Sequence, residues 1–468
     1  MKKLFLLVSL VMALFVVAAC ANETPAPAAP AQPAEPAAPA EPAAPAEPAP
    51  ATDEPADTAD AGGLSGEITF TWWGDQGRHD ATNAIVDLFV SENPGVTINT
   101  VYQPFAGYQE VLATDLMAGT EADLMQINFN WIELYSPLGT TFADLETLTD
   151  YINLGNWYPA DIDIVRSSGI VQAVPTGITA RVPFMRSDIY EAAGLNVQDI
   201  NTWDDLMEAG RTIQAELGPD FFALSPLGNA SMAYMVFSWL EQYTGRQFVD
   251  ANNQFNYSLE ELTAGFQLIQ DFIDNGVMPT GQFDSNAINS TNANWIAGHY
   301  GGVSEWDSSI NNWINNLEGG EDVIEVRDHF TMPGAQLSGV MARPSMAFAV
   351  SRNSAHQDIA ATFLDFMLTD PRSVEIMGTD RGVPSNQVAL ATFQTLADAG
   401  VIGGAALDAN AIHANAVRTT MSPVFEFPEV REVYESQLEA LFFGYVTVAD
   451  AAQFVYDNVQ SVIDSLVN

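Results

Sequence analysis

An α/β fold built on a parallel sheet is what this sequence predicts, and three observations predict it. A β-branched and aromatic run, Glu67-Ile68-Thr69-Phe70-Thr71-Trp72-Trp73, stops at Gly74 and Gly77. A helical face comes next, with Ala81, Ile85, Leu88 and Phe89 at offsets that share one side. After Asn93-Pro94-Gly95, a second strand runs from Val96 to Val101. Strand, glycine loop, helix, strand is a βαβ unit, and its strands lie parallel. Ligands of such sheets bind beyond the carboxyl ends of the strands, beside helix N-termini. Trp72, Trp73, Asp75 and Arg78 therefore form the first candidate site.

The segment ahead of this unit reads as a leader and a spacer. Lys2 and Lys3, the only lysines, precede sixteen apolar or small residues from Leu4 to Ala19. That is short of the ~20 residues that span a bilayer, so residues 1–20 are expected to be a secretory signal. It ends Val17-Ala18-Ala19-Cys20, which resembles the lipobox of bacterial lipoproteins and marks Cys20 as the residue that takes the lipid. Cys20 is the sole cysteine, so no internal disulfide can form. Residues 21–63 repeat Ala-Pro and Ala-Glu-Pro units, with eight acids and no base. Proline at that density favours polyproline II, and at about 3.1 Å per residue the reach is on the order of 100 Å. A disordered tether holding a body off a membrane is the expectation.

Within the body the strand-and-loop pattern recurs. Leu124 to Ile127 is a short strand leading into Asn128, Phe129, Asn130 and Trp131. Ile170 to Pro175 is another, ending at Thr176 and running on to Arg181. Thr202 with Asp205 makes a capping box for a helix that buries Leu206, Ala209, Gly210 and Ile213. Phe221 to Ser225 reads as a strand ending near Asn229, and Tyr300 to Ser304 as one ending at Trp306 and Asp307. Ser354-x-x-Gln357 is a second capping box, before a helix that buries Ala360, Phe363, Leu364 and Met367. From about Val430 the chain reads as helix to its end.

The charge narrows the function. Sixty acids against fifteen bases give a formal charge of −45, a field that repels phosphate backbones and excludes nucleic-acid binding. Strand ends rich in Trp, Asn, Asp and Arg suit a polyhydroxylated ligand: rings stack on apolar C–H faces, and planar polar groups bond pairs of hydroxyls. Trp73 and Trp306, at strand ends beside Asp, are read as ligand-facing, and Trp203, beside a helix cap, as packing. Asp161-x-Asp163 lacks the glycine and distal glutamate of a calcium loop, so neither metal nor cofactor is expected.

Several stretches carry a resemblance. Trp72-Trp73-Gly74 with Arg78, Ala122 to Gln126, Val174-Pro175-Thr176-Gly177 through Arg181, Arg343 to Ser351, and Ala361 to Phe366 with Arg381-Gly382-Val383-Pro384 occur in the order seen in the extracellular solute-binding proteins of carbohydrate ABC importers. The resemblance implies a two-lobed periplasmic-binding-protein-like (type II) α/β fold with discontinuous lobes, residues 64–180 with 330–388 and 181–329 with 389–468, joined by hinge strands. It further implies a sugar held between the lobes by Trp73, Asp75, Arg78, Asn128, Asn130, Trp131, Thr176, Arg181, Asn229, Trp306, Asp307 and Arg343, with Trp306 as the stacking platform. The expected partners are a carbohydrate, a neutral oligosaccharide being favoured by the overall charge, a membrane permease, and the membrane itself through lipid at Cys20. The expected molecule is an extracytoplasmic monomer and not an enzyme. The alternatives are a tethered polysaccharide-degrading enzyme and a sugar-sensing subunit of the same fold. Two carboxylates spaced for glycoside cleavage can always be found among sixty acids, so acid counting does not discriminate between them.

Overall fold

A computed structural model describes residues 63–284, 288–414 and 419–467. The leader and tether expected over residues 1–62, Cys20 included, lie outside the described residues.

The βαβ unit forms as read. Strand β1 (Gly66–Trp73), helix α1 (Gln76–Glu92) and strand β2 (Val96–Gln103) are succeeded by helix α2 (Tyr108–Ala118), strand β3 (Leu124–Ile127) and helix α3 (Asn130–Tyr135). β1 pairs in parallel with β2 on one side and β3 on the other. Ile68, Phe70 and Trp72 alternate inward along β1, the period of two that a strand dictates. On α1 the buried stripe is Thr82, Ile85, Val86 and Phe89, while Ala81 and Leu88 are half-buried. The stripe is rotated from the expected one because the N-terminal end of the helix packs Thr82 against a buried arginine, Arg381. The sheet is completed by Ala347–Val350, antiparallel to β3, and then Val174–Pro175.

A second, antiparallel sheet has Arg181–Arg186 at its centre, flanked by Gly302–Trp306 and Ile324–Val326. Between the two sheets lies a third small one, in which Met341–Pro344 pairs antiparallel with Ile178–Thr179 and parallel with Thr419–Thr420. The chain thus crosses from the first sheet to the second at residues 176–180 and returns at 343–346, with the two crossings side by side. Thr176 N donates to Met346 O at 3.0 Å, and Ser345 N donates to Gly177 O at 2.8 Å. Gly177 is required there: a Cβ would stand 2.3 Å from Val383 O.

One hydrophobic core surrounds β1–β3 and the Gln357–Thr369 helix; another joins residues 185–278 to the C-terminal helices; a third gathers around Trp295 and Trp313. Phe330 and Met341 belong to the second core, so the return crossing comes after Met341.

Four local readings are revised by packing. Ile170 to Pro175 is not one strand but two pairs of residues in different sheets. Phe221 to Ser225 makes only a single bridge, Phe222 to Tyr300, and then bends; the N–H groups of Ala223, Leu224 and Ser225 go to Gly276 O, Val277 O and Gly302 O, so it is wedged between neighbours and pairs with neither as a ladder. Ser354 does not cap its helix, because its hydroxyl is drawn to Asp123 Oδ1 at 2.6 Å and the helix begins at Gln357 with no side-chain cap. The C-terminal stretch is two helices, Pro428–Phe442 and Val448–Val467, broken at Gly444 with φ 72°. The Thr202–Asp205 capping box is present with both of its bonds, over a helix that buries Trp203, Leu206, Ala209, Gly210 and Ile213.

Candidate functional site

The two crossings deliver arginines to one aromatic ring. Arg181 stands opposite Trp306 in the second sheet, and Arg343 leads the return crossing opposite Thr179. Trp306 is half-buried, with the Arg343 guanidinium 4.3 Å and the Arg181 guanidinium 4.8 Å from its ring centroid. Contacts of this kind are electrostatically favourable on the ring face. Tyr234, on the Asn229–Thr244 helix, presents an edge to the indole at 5.2 Å and 81°. From the first sheet, Phe129 reaches within 6.0 Å of the Arg343 guanidinium, and Asn130 Nδ2 donates to Glu426 O at 3.1 Å. The loop after β3 therefore touches the turn at Pro423–Glu426 directly.

The cations here are satisfied unequally. Arg181 donates to Ser231 Oγ at 2.6 Å and Ser304 O at 3.0 Å, and pairs with Glu305 at 3.0 Å. Arg343 makes one hydrogen bond, Nη1 to Pro344 O at 2.9 Å; its buried Nε has no acceptor, and among the described residues it has no carboxylate partner. The acids nearby are engaged elsewhere. Glu426 accepts from the Tyr234 hydroxyl and lies 3.7 Å from Arg431. Burial, reinforced by Glu426, pushes the Tyr234 hydroxyl well above the usual phenol range, so it stays a donor.

The loop after β1 is built differently. Trp73 is only 7% exposed and packs against Tyr108, Trp131 and Phe105, with centroids 5.1–5.5 Å away. Trp131 is itself 1% exposed, so these two rings are core of the first sheet. Asp75 caps α1 by accepting from Arg78 N at 3.0 Å. Arg78 donates to Trp73 O and Asp380 O, and desolvation lowers its pKa against the opposing pull of Asp75 and Asp380. Behind it, Arg381 bonds Gln126 and Thr82, and burial brings it down to about 9 with Arg78 adding to the effect. His79 accepts from Trp72 Nε1 at 3.1 Å and is a packing residue.

The remaining expected residues scatter. Thr176 joins the crossings through Ser345 Oγ at 3.0 Å and Met346 O. Asp307 is 2% exposed and accepts from Thr179 and from Asn410 at 3.2 Å, tying the crossing to the helix behind it. Asn229 sits at the start of its helix, bonded to Glu439 at 3.2 Å, and Asn128 is half-buried at the foot of α3. So Arg181, Trp306 and Arg343 come together, Asn130 meets them only by way of Glu426 and Tyr234, and Trp73, Trp131, Arg78 and Asp307 serve the framework. Phe129, Tyr234, Glu305 and Glu426 complete the site without having been singled out. Tyr234 falls within the Met232–Phe237 run of its helix, otherwise apolar, and reads as core, and nothing in the Pro423–Pro428 stretch marks Glu426.

An open cleft of about 400 Å³ lies beside Phe129, bounded also by Glu133, Arg166, Asp250 and Met421. That volume falls within the ~300–1,000 Å³ usual for small-ligand sites. Behind Arg181 and Tyr234 a small cavity of about 30 Å³ reaches Trp203 and Met341, with room for a water or two. No group of three His, Cys, Asp or Glu side chains placed to hold a metal occurs among the described residues.

Residues 75–371 match the family model of the bacterial extracellular solute-binding proteins. The chain belongs to that family. As a solute-binding protein it superposes on a periplasmic solute-binding protein from Pectobacterium atrosepticum with a TM-score of 0.78 and 29% identity, over 86% of this chain and 100% of that one. It shares its fold with an oligogalacturonide-binding protein from Yersinia enterocolitica, solved with saturated digalacturonic acid, at a TM-score of 0.76 and 24% identity over 86% and 100% of the two chains. In sequence it is 24% identical to the arabinooligosaccharide-binding protein of Bacillus subtilis over 223 residues, 46% of this chain and 50% of that one. The chain aligns with about half the length of the curated relatives it matches. The family is an extracellular one, and these relatives carry the names of binding proteins. No helix among the described residues is long and apolar enough to cross a membrane.

Proposed function

We propose that this solute-binding protein captures a saccharide between two lobes and hands it to the permease of an ABC importer, without chemistry. The observation that carries the reading is Trp306, a half-buried indole between the chain crossings, ringed by Arg181, Arg343 and Tyr234, with Phe129 of the first sheet beside Arg343. An indole gives a sugar a C–H-binding face, and guanidinium and amide groups bond its hydroxyls. The names of two relatives, an arabinooligosaccharide-binding and a lactose-binding protein, support a sugar as cargo. The lobes expected from the sequence, 64–180 with 330–388 and 181–329 with 389–468, remain part of this proposal, with the return crossing moved from 330 to after Met341 because Phe330 and Met341 pack in the second core.

Buried hydroxyls left without partners cost about 1–3 kcal/mol each, so closure is favourable only when the cleft satisfies them. Ligand shifts the open–closed balance by its differential affinity for the two forms, and that difference is what a permease reads. Lipid on Cys20 and the Ala/Pro/Glu tether keep the monomeric receptor within reach of that permease. The overall charge of −45 favours a neutral oligosaccharide, although Arg343 beside Trp306 has no carboxylate partner among the described residues.

The test is thermal unfolding of the full chain against a panel of mono- and oligosaccharides, with the sugar recovered afterwards. A ligand at a hundred times its Kd stabilises by about 2.7 kcal/mol. A stabilising sugar recovered intact supports the reading; a cleaved one replaces it with a tethered enzyme; no response across the panel removes carbohydrate as the cargo.

A further inference from the structure

Arg343 is a cation held for a charge that the protein does not itself supply. It uses one of its five N–H donors, on the carbonyl of the next residue, and its buried Nε has no acceptor. In a chain with four acids for every base, arginines readily find carboxylates: Arg166, Arg181, Arg186, Arg211, Arg246, Arg372 and Arg431 all do. Those near Arg343 are taken, Glu305 by Arg181 and Glu426 by the Tyr234 hydroxyl and Arg431. Other arginines without a carboxylate, such as Arg78 and Arg381, also keep one buried nitrogen without an acceptor, but each donates to two oxygens of the surrounding frame where Arg343 has one. Arg343 instead lies over Trp306 at the crossing, next to Phe129, which bounds the 400 Å³ cleft.

A neutral sugar enclosed here leaves that charge uncompensated as water leaves, which is costly; a carboxylate compensates it through a two-pronged fork. The Trp306 ring is also partly covered by two guanidiniums, which suits a ligand that binds them as well as the indole. We infer that the cargo is an acidic saccharide, a uronic-acid oligomer, and that Arg343 selects it by gripping the sugar carboxylate. This rests on the proposed saccharide-receptor function and narrows it.

The experiment is calorimetric titration of the full chain with matched pairs that differ only at C6: di- and trimers of galacturonate, glucuronate and mannuronate against those of galactose, glucose and mannose, with acetate as a carboxylate lacking a sugar. The expected result is that one acidic member binds at least ten-fold more tightly than its neutral twin and that acetate does not bind. Arg343→Gln should weaken the acidic ligand at least ten-fold and the neutral one less than three-fold. Should that variant fail to fold, Arg343→Lys keeps the charge but loses the fork, and should weaken the acidic ligand alone. Equal binding within every pair, or equal weakening of both twins by either variant, overturns the inference. Tight binding of neutral members only would sink the Arg343 assignment and leave the saccharide receptor standing, whereas no binding by any member would sink both.

Discussion

Trp73 and Trp306 each end a strand and each lie within two residues of an aspartate, yet the fold uses them in opposite ways. Trp73 is closed in by three aromatic rings and is part of the core, whereas Trp306 is half-buried among two guanidiniums and the edge of a tyrosine. A strand end alone does not make a binding surface. The segments after β2 and β3, carrying Phe105, Tyr108 and Trp131, fold back over Trp73. The segments running past Trp306 are the two hinge crossings, and these bring charge in place of a lid.

The largest expected effect would break or establish that contrast. Trp73→Ala should cost about 3–5 kcal/mol in urea unfolding, the usual loss for a large buried ring. Trp306→Ala should cost clearly less, while abolishing the saccharide-induced rise in Tm; equal stability losses would show that both rings are core. The hinge comes next. Gly177→Ala places a methyl against Val383 O and should destabilise by about 1–3 kcal/mol, read as a shift of the denaturant midpoint, because backbone on both sides resists yielding. Tyr234→Phe leaves one Glu426 oxygen without its donor and should cost about 1–2 kcal/mol, with weaker ligand binding, since the same hydroxyl fixes the turn that Asn130 meets.

The smallest effect belongs to an element set by neighbours in sequence. Asp205→Ala removes half of the Thr202 capping box and should cost about 1 kcal/mol. The Thr202 hydroxyl, with two backbone N–H groups, holds the Asp205 carboxyl below its usual range. Its contribution is therefore present above the unfolded value of about 3.9 and lost as pH falls through the lower folded value. The gap between parent and variant midpoints should be full at pH 6 and narrow below pH 3. A gap that widens on acidification would contradict that sign.

These effects also grade how much was legible in advance. The Thr202 box, the β1 alternation and the βαβ order were readable because capping and side-chain period act over a few residues. The Ser354 box failed despite the same signature, because Asp123, far away in sequence, offers its hydroxyl a carboxylate. The split of Ile170 to Pro175 and the wedged Phe221 to Ser225 segment have the same origin: strand type is local, but pairing needs a partner edge that only packing provides. At the site, Trp306, Arg181 and Asn130 stood out as polar or aromatic residues at strand ends, and Arg343 was marked only by the family resemblance. Tyr234 did not, since a tyrosine in an apolar helix has the same signature as core.

The sequence by itself determined the acidity, the leader-like start and proline-rich spacer pattern, the α/β class and the chain order that marks a solute-binding protein, because each is written in composition or short-range pattern. Only the tertiary structure decided which tryptophan is covered and that Arg343 meets one carbonyl and no carboxylate among the described residues. Both depend on what distant segments place beside a side chain, and a half-buried ring or an uncompensated charge exists only once those segments have met.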